Sequence, residues 1–203
     1  MIRIVDYGLG NILAFQNMYK RLNVEVAVAK SAADLAGATR VILPGVGAFD
    51  HAMELLDKSG MRSILTELVM EKKLPVIGIC VGMQILANGS DEGSRPGLGW
   101  IDGRVRNFST LAAQNLLVPH MGWNDVNPRE GNRLFKNLER DARFYFLHSF
   151  YFDCSNAEDV AAQANYGIDF SCAIRRDNIH GVQFHPEKSH HFGAQLLKNF
   201  AEL

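Results

Sequence analysis

Short β-branched runs alternate with amphipathic stretches through the first 80 residues, and this rhythm restricts the fold more than any other feature of the chain. IRIVD (2–6), VEVAVA (24–29), RVILPG (40–45) and PVIGIC (75–80) read as strands. Between them, GNILAFQNMYKRL (10–22), DHAMELLDKSG (50–60) and MRSILTELVMEKK (61–73) carry helical spacing. In the first of these the apolar positions are Ile12, Phe15, Met18, Tyr19 and Leu22. Strands that alternate with helices form βαβ units, whose crossovers place the strands parallel. The expected fold class is therefore α/β, a flavodoxin-like open and mainly parallel sheet with helices on both faces.

The rhythm changes in the second half. Strand candidates follow at 103–108, 115–126, 143–152, 159–165, 170–176 and 179–184, separated by turn-rich NPREGN, CSNAED and RRDN. These predict an antiparallel extension of the sheet, and HHFGAQLLKNFAEL (190–203) predicts a closing helix. A length of 203 residues suits one domain, taken as 1–203. With 47% apolar residues and a formal net charge of −1, the chain shows no basic tract, so no nucleic-acid partner is expected. It opens directly on a strand-like run, with no leader and no segment long enough for a membrane, so the expectation is a cytoplasmic protein with no membrane partner. Cys80, Cys154 and Cys172 form no Cys-x-x-Cys pair, which predicts free thiols in a reducing compartment and no metal or other cofactor.

One cysteine stands apart. LPVIGICVGMQ (74–84) ends an apolar strand on Cys80, with Gly78 and Gly82 on either side, and VGMQILAN reads as the start of a helix. Gly-x-Cys-x-Gly has the glycine spacing of a nucleophile elbow, where a strand turns sharply into a helix and its neighbours must be small. A helix N-terminus there favours a thiolate, and the Val81 amide can hold an oxyanion. Spacing alone leaves Cys80 either a nucleophile or a small core residue. A thiol nucleophile needs a base, and the base needs an orienting group. GVQFHPEKS (181–189) supplies His185 and Glu187, one residue apart at another strand end. At a third strand end, PGVG (44–47) offers Val46 or Gly47 as a further oxyanion donor.

With PGVGAF, GICVGMQ and GVQFHPEKS in this order, the sequence resembles the triad-type (class I) glutamine amidotransferases. DYGLGN (6–11), PHMGWN (119–124) and FYFLHSFY (144–151) look most like the branch of glutaminase subunits that serve imidazole glycerol phosphate synthases. The resemblance implies Cys80 as nucleophile, His185 as general base and acid, and Glu187 as orienter. It further implies an oxyanion hole from the Val81 amide and the loop carrying Gly45, Val46 and Gly47. Gln84, His148 and Ser149 match positions that hold the substrate, glutamine. Val81 stands where the family usually has leucine, a change without consequence for a backbone donor.

The implied partner is a (β/α)8-barrel synthase subunit, in a heterodimer that receives ammonia for imidazole ring formation in histidine biosynthesis. Asn11, Met121, Trp123 and Asn124 are expected at that interface. A peptide flip at Gly45–Gly47 would gate activity, leaving the isolated chain nearly silent. A paralogous branch that supplies ammonia to bacterial surface-sugar amidation shares the same chemistry. A catalytically inactive binding module and another Cys-elbow hydrolase are more distant readings.

Overall fold

The computed structural model describes residues 1–110 and 116–203. The elements run β1 (Ile2–Val5), α1 (Ile12–Arg21), β2 (Val26–Ala29), β3 (Arg40–Gly45), α2 (Phe49–Lys58), α3 (Arg62–Thr66), β4 (Val76–Cys80) and α4 (Val81–Gln84). They continue as β5 (Gly89–Ser90), β6 (Gly103–Asn107), β7 (His120–Asp125), β8 (Asn127–Pro128), β9 (Arg143–His148) and β10 (Phe150–Cys154). The chain closes with β11 (Val160–Tyr166), β12 (Ile168–Arg176), β13 (Ile179–Val182) and α5 (His190–Glu202).

Among the described residues, eleven strands form one sheet along the path β2-β1-β3-β4-β13-β12-β10-β6-β5, with β11 pairing β12 and β8. From β2 to β13 the neighbours are parallel, and beyond β13 they are antiparallel except for the β5–β6 edge pair. The parallel strands are buried on both faces, which is why β4 reads as an unbroken apolar run. The α/β expectation holds, with helices flanking a mixed sheet and one continuous cluster of buried apolar side chains.

Four local expectations are corrected. The helix read from VGMQILAN is a single turn, α4. The carbonyls of Ile85, Leu86 and Ala87 accept from the amides of Leu98, Trp100 and Gly99 instead of continuing a helix. All three side chains are fully buried, so the segment has no polar face to offer solvent. The run 61–73 is not one regular helix: α3 passes into a wider π turn over Glu67–Glu71. The strand read over 143–152 breaks at Ser149. Upstream, β9 pairs with β7 in a separate two-stranded ribbon, and downstream β10 joins the main sheet against β6. The Ser149 carbonyl, accepting from the Phe108 amide at 3.1 Å, marks the crossing. The strand read over 115–126 therefore begins at His120, and its first residue lies outside the described residues.

Candidate active site

β3, β4 and β13 are parallel neighbours, and their carboxyl ends carry the three motifs to one edge of the sheet. Gly45 stands directly opposite Cys80 in the β3–β4 register. Cys80 itself has φ +56° and ψ −115°, a region that L-residues avoid. This is a strained strand-to-helix turn with the geometry expected of a nucleophile elbow, and its neighbours explain the glycines. A Cβ on Gly82 would lie 1.9 Å from the Leu43 carbonyl oxygen, and one on Gly78 would lie 2.4 Å from that of Gly82. The elbow can close only with hydrogen at both positions.

Beyond β13 the chain is clamped. Phe184 is fully buried and stacks on Phe144, with centroids 4.0 Å apart. The His185 amide donates to the Tyr145 carbonyl at 2.9 Å. Ser189 Oγ donates to the His185 carbonyl at 2.6 Å and accepts from the Tyr145 amide at 3.0 Å. These bonds fix the imidazole between two partners. His185 Nδ1 donates to Glu187 Oε1 at 2.9 Å, which leaves Nε2 for the hydrogen bond with Cys80. Burial disfavours the charged ring, but the bonds and charges of Cys80 and Glu187 outweigh it and raise the His185 pKa to about 10. With α4 only one turn long, this imidazolium replaces the expected helix N-terminus as the main positive charge beside the sulfur.

Cys80 and His185 open on a pocket of about 290 Å³. Val46, Gly47, Val81, Gln84, His148 and Ser149 line it, whereas Gly45, opposite Cys80, and Glu187, bonded to His185, are not among the lining residues. The PGVG loop has a fixed base and an exposed tip. Tyr7 Oη, buried, donates to the Pro44 carbonyl at 2.8 Å, whereas Val46 is 40% exposed and Gly47 has φ +86°. Gln84 spends both amide hydrogens inward, on Gln183 Oε1 at 3.0 Å and the Phe150 carbonyl at 3.3 Å. His148 Nδ1 donates to the Phe150 carbonyl at 2.7 Å, so its Nε2 accepts from His120 Nδ1 at 2.8 Å. Both ring nitrogens are thereby engaged, and His148 meets the pocket with its ring edge. Burial pushes its pKa down to about 3 and that of His120 to about 4, so both rings are neutral.

Sequence reasoning missed several residues. Glu92 and Lys188 bring opposite charges to the pocket wall, and no sequence pattern announces Glu92. Gln183 and Ser189 sit inside the quoted GVQFHPEKS stretch, where polar side chains in buried positions are the available signal. The residues expected at a partner face are only partly exposed outward. Met121 and Trp123 are exposed on β7, beside Leu147 of β9. Asn11 caps α1, accepting from the Ala14 amide at 3.3 Å, and Asn124 donates inward to the Asn165 carbonyl at 2.8 Å.

The sequence and the fold have counterparts among known proteins. A family profile described as glutamine amidotransferase class-I matches residues 3–203. A protein of Bdellovibrio bacteriovorus named imidazole glycerol phosphate synthase subunit HisH is 64% identical, with all of both chains covered. The subunit of the same name from Leptospira borgpetersenii is 53% identical, also over all of both chains. A solved structure titled glutamine amidotransferase superposes with a TM-score of 0.74 at 20% identity, covering 99% of this chain and 97% of its own, a likeness of fold. The chain belongs to the class-I glutamine amidotransferases.

Proposed function

We propose that this protein is the glutaminase subunit of an imidazole glycerol phosphate synthase, acting in histidine biosynthesis. The observation that carries the reading is the His185 ring held between Cys80 and Glu187 at the floor of a pocket. The full-length identity to proteins named as subunits of that synthase supports the choice of pathway.

In this reading the Cys80 thiolate attacks the side-chain amide carbon of glutamine, and the oxyanion rests on the Val81 amide and an amide of the Val46–Gly47 tip. The carbon–nitrogen bond breaks as His185 Nε2 gives its proton to the departing nitrogen, releasing ammonia and leaving a glutamyl thioester. Water then attacks the thioester, His185 takes its proton, and glutamate leaves with the electron pair returned to sulfur. Glu92 and Lys188 bear charges suited to the ammonium and carboxylate of an α-amino acid. Residues 1–203 work as one glutaminase domain, in the cytoplasmic setting that the pathway expects.

Ammonia at neutral pH is mostly ammonium, so delivery to an enclosed acceptor site preserves the nucleophile. The acceptor is a (β/α)8-barrel subunit in a heterodimer, docked on the exposed apolar face of Met121, Trp123 and Leu147. The anchored base and exposed tip of the PGVG loop suit a peptide that reorients when the partner engages, so the isolated chain hydrolyses glutamine slowly. The test is glutamate release with the barrel subunit and its histidine-pathway acceptor. Strong stimulation there, abolished by Cys80→Ala, is expected. Stimulation only in a surface-sugar amidation system would sink the pathway assignment and keep the chemistry.

A further inference from the structure

Gln183 lies between β13 and His185 and is completely buried, and the Cys80–His185–Glu187 proton path does not pass through it. Its side-chain orientation follows from one main-chain oxygen. The Phe150 carbonyl can only accept, so the Gln84 group facing it is the NH₂. The second hydrogen of that NH₂ points to Gln183 at 3.0 Å, which must therefore present Oε1 there. The Gln183 NH₂ is left facing Cys80 Sγ, at 3.8 Å. Reversing the Gln183 amide would set two donors against each other at Gln84 and a carbonyl oxygen against the sulfur. The donor direction is fixed by connectivity from Phe150 to the nucleophile.

A buried amide is a costly way to fill a core site unless each polar atom meets a partner. A neutral thiol is a weak partner, whereas a thiolate is a strong one, and such bonds shorten as charge develops. We propose that Gln183 is a positioning residue for the nucleophile, holding an N–H on Cys80 Sγ to steady the thiolate and fix its direction of attack. The proposal deepens the glutaminase reading and rests on Cys80 as the nucleophile. The bond is weakest in the thioester, where sulfur carries no charge. It re-forms as the sulfur–carbon bond breaks and the electron pair returns to sulfur, so it also favours thioester hydrolysis.

The test reads the sulfur directly. Iodoacetamide alkylation of Cys80 is followed against pH in the wild-type chain and in Gln183→Glu and Gln183→Met. Gln183→Glu keeps the acceptor for Gln84 and removes the donor, while Gln183→Met keeps the volume and removes both. In both variants the alkylation profile is expected to move upward by about one pH unit. In the assembled synthase, kcat for glutamine hydrolysis is expected to fall about tenfold to a hundredfold, with KM changed by less than about threefold. An unmoved alkylation profile in either folded variant overturns the proposal. A readout independent of variant folding comes from the wild type, where the Gln183 side-chain amide proton is expected to shift in NMR spectra across the Cys80 titration. A Gln183 signal that stays still overturns the proposal whatever the variants do. Failure of the underlying reading looks different: a glutamine-like electrophile would then label wild type and Cys80→Ala alike.

Discussion

His185 holds its proton against burial because Cys80 and Glu187 flank it. A ring protonated at neutral pH is the form able to protonate departing ammonia, so activity should persist through neutral pH and fall as pH rises through about 10. The same raised pKa stabilises the fold fully below the unfolded value of about 6.5, and that contribution is lost as pH rises through about 10. Glu187→Gln removes one of the groups that raise it. The alkaline limb of the pH–rate profile should then move to lower pH, with kcat down about tenfold or more. An unmoved limb in folded protein would remove Glu187 from the role of orienter. Glu92→Gln tests the other end of the substrate. If Glu92 pairs with the substrate ammonium as proposed, loss of its charge should raise KM about tenfold while kcat changes little.

Among the elements, the turn from β4 into α4 is the least forgiving. Gly82→Ala would drive a Cβ into the Leu43 carbonyl oxygen, a backbone atom of a central strand. Thermal melting should show a loss of about 4 kcal/mol or more, or no folded protein at all. A melting temperature close to wild type would mean that β3 and β4 can separate at no great cost. The β7–β9 ribbon carries a different expectation. Trp123 stacks on His190 at 5.4 Å and remains 40% exposed. If the ribbon is the docking face proposed above, Trp123→Ala should weaken association with the proposed partner subunit by about 2 kcal/mol, measurable by calorimetry.

These two elements also show what the sequence could and could not reveal. The elbow was legible because its two glycines sit four residues apart with the cysteine midway, and report a local steric need. The ribbon was not legible, because FYFLHSFY alternates smoothly through Ser149 and nothing local marks a change of sheet. The crossing is set by long-range pairing, of Phe150 with Asn107 on one side and of His148 with His120 on the other. The short α4 was hidden for the same reason, since Leu98–Trp100 capture the carbonyls that a helix would have used. His185 and Glu187 could be paired from spacing, whereas Gln183 needed its neighbours in three dimensions.

At the scale of the whole molecule, buried neutral histidines tie stability to pH. Burial holds His120 and His180 near pKa 4 and His148 near 3. In the unfolded chain each takes up a proton below about pH 6.5, while in the fold each resists until well below that. The unfolded state then binds more protons, so stability should fall as pH drops from about 6.5 to 4, by the order of 3 kcal/mol per histidine. Denaturant titrations at several pH values would measure this. A midpoint unchanged across that window would mean that the three rings are charged or exposed in the native state.

Tyr145 gives the molecule one more property. Its amide and carbonyl hold Ser189 and His185, while it faces Trp123 across the ribbon in register. The wall between the exposed ribbon face proposed for docking and the imidazole is thus a single residue thick. A subunit pressing on the ribbon and a proton moving on the ring are separated by one peptide unit, so each is within mechanical reach of the other without any rearrangement of the sheet.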